Sequence, residues 1–141
     1  MSAVDKLLTV ALQEEGYLEK RTEDGLDSKA ANAGSNNFTK YSRDLYPSLQ
    51  GNPWCDVFVD WCFVQTFGKV AARQLLGGFS AYTPDSAQYY KKRGQYHKDS
   101  PKPGDQIFSA TTPVFVTPGL WRRLHRLRCA PLRATPAPAV R

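Results

Sequence analysis

The chain is short of histidine and of cysteine in any metal-binding arrangement. Its 141 residues hold two histidines, His97 and His125, and three cysteines, Cys55, Cys62 and Cys129. An odd cysteine count without a Cys-x-x-Cys spacing gives no metal signature, so neither a metal nor another cofactor is expected. Cys55 and Cys62 lie two helical turns apart, too far for a bridge within one helix, and no disulfide framework is implied. No apolar run approaches the roughly 20 residues that cross a bilayer, so no membrane segment is expected. The start lacks the basic and apolar regions of a secretory signal. That predicts a protein that stays cytoplasmic until something else releases it.

Acidic residues vanish after residue 108. Residues 109–141 contain six Arg and no Lys, Asp or Glu, whereas residues 1–108 contain 13 basic and 13 acidic residues. The net charge of +6 therefore belongs to the tail alone. A neutral body, in a chain of 41% hydrophobic and 12% aromatic residues overall, suits one folded domain with a real core.

Leu7, Leu8, Val10, Ala11 and Leu12 recur at helical spacing and predict an amphipathic helix over about 3–15, stopped by Gly16. From Lys20 to Asn52 the chain is polar and punctuated by Gly, Asn and Pro. Phe38, Tyr41 and Tyr46 within it predict a packed loop that walls a groove. Next comes Gly51-Asn-Pro-Trp-Cys-Asp-Val-Phe-Val-Asp-Trp-Cys-Phe-Val-Gln-Thr-Phe-Gly68. A helix over about 53–67 that is apolar on nearly every face is a buried central helix. A short helix over about 70–76 follows, and another opens at Thr83-Pro84, with Thr83 as its N-cap. Gln106-Ile-Phe108 begins a strand after the turn at Pro103-Gly-Asp105.

Cys55 falls in the first turn of the buried helix. A helix N-terminus carries partial positive charge, which stabilises a thiolate, and its N–H groups can serve as oxyanion donors. Cys62, two turns deeper, gains none of this and reads as a small core residue. The segment Asn52-Pro-Trp-Cys-Asp-Val-Phe-Val-Asp-Trp-Cys62 resembles the nucleophile segment of CHAP domains, the cysteine, histidine-dependent amidohydrolases/peptidases. Gly78-Phe-Ser-Ala-Tyr-Thr-Pro-Asp-Ser-Ala-Gln-Tyr-Tyr90 and Pro103-Gly-Asp-Gln-Ile-Phe108 resemble the following helix and first strand of that family. Over about residues 3–108 the resemblance implies a papain-like α+β fold that cleaves amide bonds in peptidoglycan, in the manner of a phage lysin or wall-remodelling enzyme. It makes Cys55 the nucleophile, with Trp54 and Asp56 beside it as substrate-groove candidates.

The family also implies a histidine in a His-Thr-Gly setting on the strand after the Gly-Asp strand, oriented by a Glu-Gly-Asn segment on the next. His97 precedes the Gly-Asp turn and is expected at the surface. His125 lies in an Arg-rich run without an acidic partner. Neither fits the base, and the C-terminal antiparallel sheet is largely missing. The tail, rich in Arg, Pro and Ala, instead has the composition of out-of-frame translation of GC-rich DNA. Reading Val116-Thr-Pro-Gly-Leu120 from the third base of each codon can give His-Thr-Gly-Leu. Leu132 to Val140 read likewise can give Glu-Gly-Asn-Thr-Ser-Ala-Gly. Both missing segments return in the right order, which places a frame shift between about Phe108 and Val116. Residues 109–141 are then expected to be disordered, and the protein poorly soluble and inactive.

Two other functions compete. A non-catalytic wall-binding module would keep the groove without the chemistry. An Arg-rich nucleic-acid binder would use the tail, but six Arg without a recognisable fold or stacking aromatics beyond Trp121 make a poor interface. Bacterial peptidoglycan, and not nucleic acid, is therefore the expected partner.

Overall fold

The computed structural model describes residues 1–99 and 102–108, together with the backbone of 114–115 and 139–140. Its order is α1 (Ala3–Gln13), α2 (Lys40–Leu45), a 3-10 turn (Pro47–Leu49), α3 (Cys55–Phe67), α4 (Lys69–Leu76), α5 (Thr83–Lys92), then the strands β1 (Gln106–Ile107), β2 (Val114–Phe115) and β3 (Ala139–Val140). The fold is mostly helical. β1 is the centre strand, with β2 and β3 antiparallel on either side, each two residues long. Short strands beside helices are compatible with an α+β class; the rest of the tail, expected to be disordered, lies outside the described residues.

α1 starts with a complete capping box, in which the Ser2 hydroxyl accepts from the Asp5 N–H and Asp5 accepts from the Ser2 N–H. It buries Leu7, Leu8 and Ala11, whereas Leu12, expected on the same stripe, is exposed. α3 is the central helix. Asp56 through Cys62 are seven consecutive buried residues, which only a helix covered on all sides can show, and α1, α2 and α4 all pack on it. Gly68, at φ 80°, ends α3 and opens α4, a conformation that disfavours any side chain bearing a Cβ. α4 ends at left-handed Gly77, where the Arg93 guanidinium donates to the carbonyls of Gln74 (3.1 Å) and Leu75 (2.7 Å). A cation on the last carbonyls complements the helix dipole.

The stretch 20–52 is more ordered than its sequence suggests. Lys20 makes backbone bridges to Ala33 and Phe38. α2 follows, and the ring of its Tyr41 is fully buried at the hub of the core. Tyr41 lies 4.9 Å from Tyr17, 5.5 Å from Trp54, 4.9 Å from Phe58 and 5.0 Å from Trp61 between ring centroids. These separations are those of favourable offset and edge-to-face pairs. α2 is capped by buried Thr39, whose hydroxyl accepts from the Ser42 N–H at 3.1 Å. Replacing Thr39 with Ala is expected to cost about 1–2 kcal/mol through the lost cap. A urea-denaturation midpoint equal to that of the parent would disprove that role.

At α5 the expected cap is corrected. Thr83 is the first helical residue and Tyr82 the capping position, with no side-chain bond to the helix. Pro84 lies in the first turn, where its missing N–H leaves no helical bond unmade.

Candidate active site

Cys55 is the first residue of α3 and is half-buried against the core. The helix opens at Trp54 without a side-chain cap. The first-turn N–H groups thus receive no bond from a Trp54 side-chain cap, and they carry the positive end of the dipole. Cys55 is disulfide-bonded and Cys62 is free, so the two do not bridge, as their spacing in one helix requires, although the sequence implies no disulfide framework. The partner of Cys55 lies outside the described residues. A sulfur so bonded has no thiolate, so nucleophilic chemistry at Cys55 requires reduction first. Cys62 is wholly buried, and desolvation pushes its thiol well above the usual range. It is the inert core cysteine that its position predicted.

The two residues flanking Cys55 are both buried. Trp54 is 2% exposed, its ring in the aromatic hub and its indole N–H donating to Glu19 Oε2 at 2.8 Å. Asp56 is 1% exposed. Both of these groove candidates are thus buried and hydrogen-bonded to side chains from elsewhere in the chain. An open concavity among the described residues lies in the 20–52 loop, about 460 Å³ in volume. Leu26, Asp27, Arg43 and Gln50 are among its lining residues, and Trp54, Cys55 and Asp56 are not. Arg43 is held there by a bidentate pair with Asp27, both bonds 2.9 Å.

Around Asp56 the structure assembles a polar network that sequence reasoning missed. Ser86 of α5 donates to Asp56 Oδ2, and the Gln106 amide of β1 donates to Oδ1 at 3.0 Å. The Tyr90 hydroxyl in turn donates to the Gln106 carbonyl oxygen at 3.1 Å. One turn on, Asp60 accepts from the Tyr46 hydroxyl at 2.5 Å and from the Ser80 backbone N–H. Burial raises Asp56 to about 6 despite its bonds to Ser86 and Gln106. Burial, and then the neighbouring Asp56 charge, raise Asp60 to about 8. The signal was present in the sequence, since Asp56 and Asp60 at i and i+4 share a face of a helix that is otherwise apolar almost throughout.

His97 follows α5 on an exposed loop and makes no hydrogen bond among the described residues; His125 lies outside them. The base required by a thiol nucleophile is thus not assembled by the described residues. No group of three or more His, Cys, Asp or Glu among the described residues is arranged to hold a metal ion. No helix among them is long and apolar enough to cross a membrane. No protein-family model, curated protein or solved structure matches the chain.

Proposed function

We propose that this chain carries the nucleophile-bearing part of a CHAP-type cysteine hydrolase of peptidoglycan, with the papain-like α+β fold of that family, and is catalytically silent as it stands. The observation that supports this most directly is the position of Cys55 at the uncapped start of a central helix fixed on every side. In the reduced protein the dipole favours the thiolate, which would attack an amide carbonyl carbon while first-turn N–H groups donate to the developing oxyanion. Turnover then stops for want of a histidine to take up the thiol proton and deliver it to the leaving amine. The out-of-frame tail accounts for that want, and resequencing the gene across codons 105–141 tests it. An unchanged sequence would make the loss a property of the gene itself.

Thiol chemistry tests the site without turnover. After reduction, Cys55 is expected to react with iodoacetamide along a pH profile centred below the ordinary thiol value of about 8.5, and Cys55→Ala to remove this phase. Buried Cys62 should react only on unfolding. A Cys55 that titrates at or above the ordinary value defeats the nucleophile assignment. Clearing of purified peptidoglycan by the unaltered chain, lost in Cys55→Ala, would overturn the claim of silence. The open concavity beside Arg43 supports a second reading, a wall-binding module, which predicts co-sedimentation with peptidoglycan that survives Cys55→Ala.

A further inference from the structure

Asp56 and Asp60 are both at most 2% exposed and stand one turn apart on the same helix. No salt bridge among the described residues reaches either of them. Their partners are instead neutral donors from four separate segments: Tyr46 beyond α2, the Ser80 N–H before α5, Ser86 within α5, and Gln106 of β1. Two adjacent carboxylates without a cation cannot both be charged in such a place except at heavy cost, and the inexpensive remedy is a proton. Among the described residues the wider surroundings offer no positive charge that would replace it: on α2, Lys40 is paired with Glu14, and Arg43 with Asp27 and Asp44. α5 adds Asp85, Tyr89 and Tyr90, and the residue before β1 is Asp105. Arg93 is directed to the Tyr90 ring and to the end of α4. From α1 the buried residues of the helix are Leu7, Leu8 and Ala11, and from α4 they are Ala72 and Leu76, none of which titrates.

We propose that Asp56 and Asp60 together form a proton-operated latch that fastens the 79–92 segment and β1 to the central helix, and that loss of the proton at alkaline pH releases that segment. This stands on the buried cluster and does not depend on the hydrolase reading. The direction follows from linkage. Both groups sit above the ordinary carboxylate value in the closed form, so closure is favoured fully below about pH 4 and weakens as pH rises, Asp56 giving way near 6 and Asp60 near 8.

Hydrogen exchange of the full chain, read by mass spectrometry between pH 5.5 and 8.5 and corrected for the intrinsic rate, tests the latch. Peptides covering 79–92 are expected to open at least about tenfold more across this range, since one proton released changes the equilibrium up to tenfold per pH unit. Peptides of α1 should change less. Asp60→Asn, which mimics the protonated form, should flatten the profile of 79–92. Tyr46→Phe removes a donor that favours the charged carboxylate, so it should move the profile to higher pH. The two variants displace the curve differently, so one remains informative if the other does not fold. A pH-independent opening of 79–92 in the parent would overturn the proposal. So would an Asp60→Asn profile with the parent's slope, or a Tyr46→Phe profile that does not move.

Discussion

Inserting one base between the codons for Phe108 and Val116, and reading on to the next stop, is expected to yield a chain that hydrolyses peptidoglycan. The gain should be on the order of 10³-fold or more in the rate of wall clearing, because removal of a triad histidine costs at least that much in comparable hydrolases. The prediction has a built-in control. Cys55→Ala in the repaired chain should return it to background, as should replacement of the regained histidine. The described residues already supply a central helix with Cys55 at its start and β1 as the strand on which a sheet would extend. The repaired frame would supply His-Thr-Gly and Glu-Gly-Asn. A repaired protein that folds, keeps a reactive Cys55 and still does not clear peptidoglycan would sink the hydrolase reading while leaving the fold intact.

The second large effect concerns Glu14, at the C-terminal cap of α1. Its carboxylate accepts from Lys40 Nζ at 2.8 Å and from the Tyr41 hydroxyl at 2.8 Å. The Lys40 ammonium also lies over three rings, 5.3 Å from the Tyr17 centroid, 5.7 Å from Tyr41 and 5.2 Å from Trp61. Glu14→Ala would leave that ammonium and the Tyr41 hydroxyl without their acceptor in a mostly buried place. Breaking such a pair from one side costs about 3 kcal/mol, the lower figure because both side chains keep some solvent contact. Against a total stability of about 5–15 kcal/mol this is a large fraction. Urea denaturation followed by tryptophan fluorescence measures it. In a double-mutant cycle Glu14→Ala with Lys40→Met should recover part of the loss, because the stranded charge goes with its partner. Additive losses in that cycle would mean that the ion pair contributes nothing of its own.

Much of this fold could be read from the residues. The 3.6-residue recurrence of apolar side chains marked α1, and the unbroken apolar character between Pro53 and Gly68 marked α3 as the buried centre. α4 and β1 were visible from their glycine and proline boundaries. α2 was not: six residues, Lys40 to Leu45, are too few to show a period, and its one buried ring belongs to a cluster assembled from distant positions. The site divides in the same way. The position of Cys55 is local, being a matter of where one helix begins. Its disulfide is not local, and neither is the burial of Trp54 and Asp56, which depends on Glu19, Ser86 and Gln106 arriving from elsewhere in the chain. Spacing along one helix could not reveal that the acid next to the cysteine is tied to a strand fifty residues away.

The aromatic hub has a temporal consequence. Its five rings, from Tyr17 to Trp61, all belong to the first 61 residues, together with the Glu14–Lys40 pair that sits against them. During synthesis every group needed to close this cluster has been made before the first residue of the tail is added. N-terminal parts of a chain can form structure as they emerge, and contacts of modest sequence separation form fastest. The nascent chain can therefore commit to this half of the fold whichever frame the ribosome follows afterwards. A change of frame downstream then alters what is built onto a nucleus that already exists.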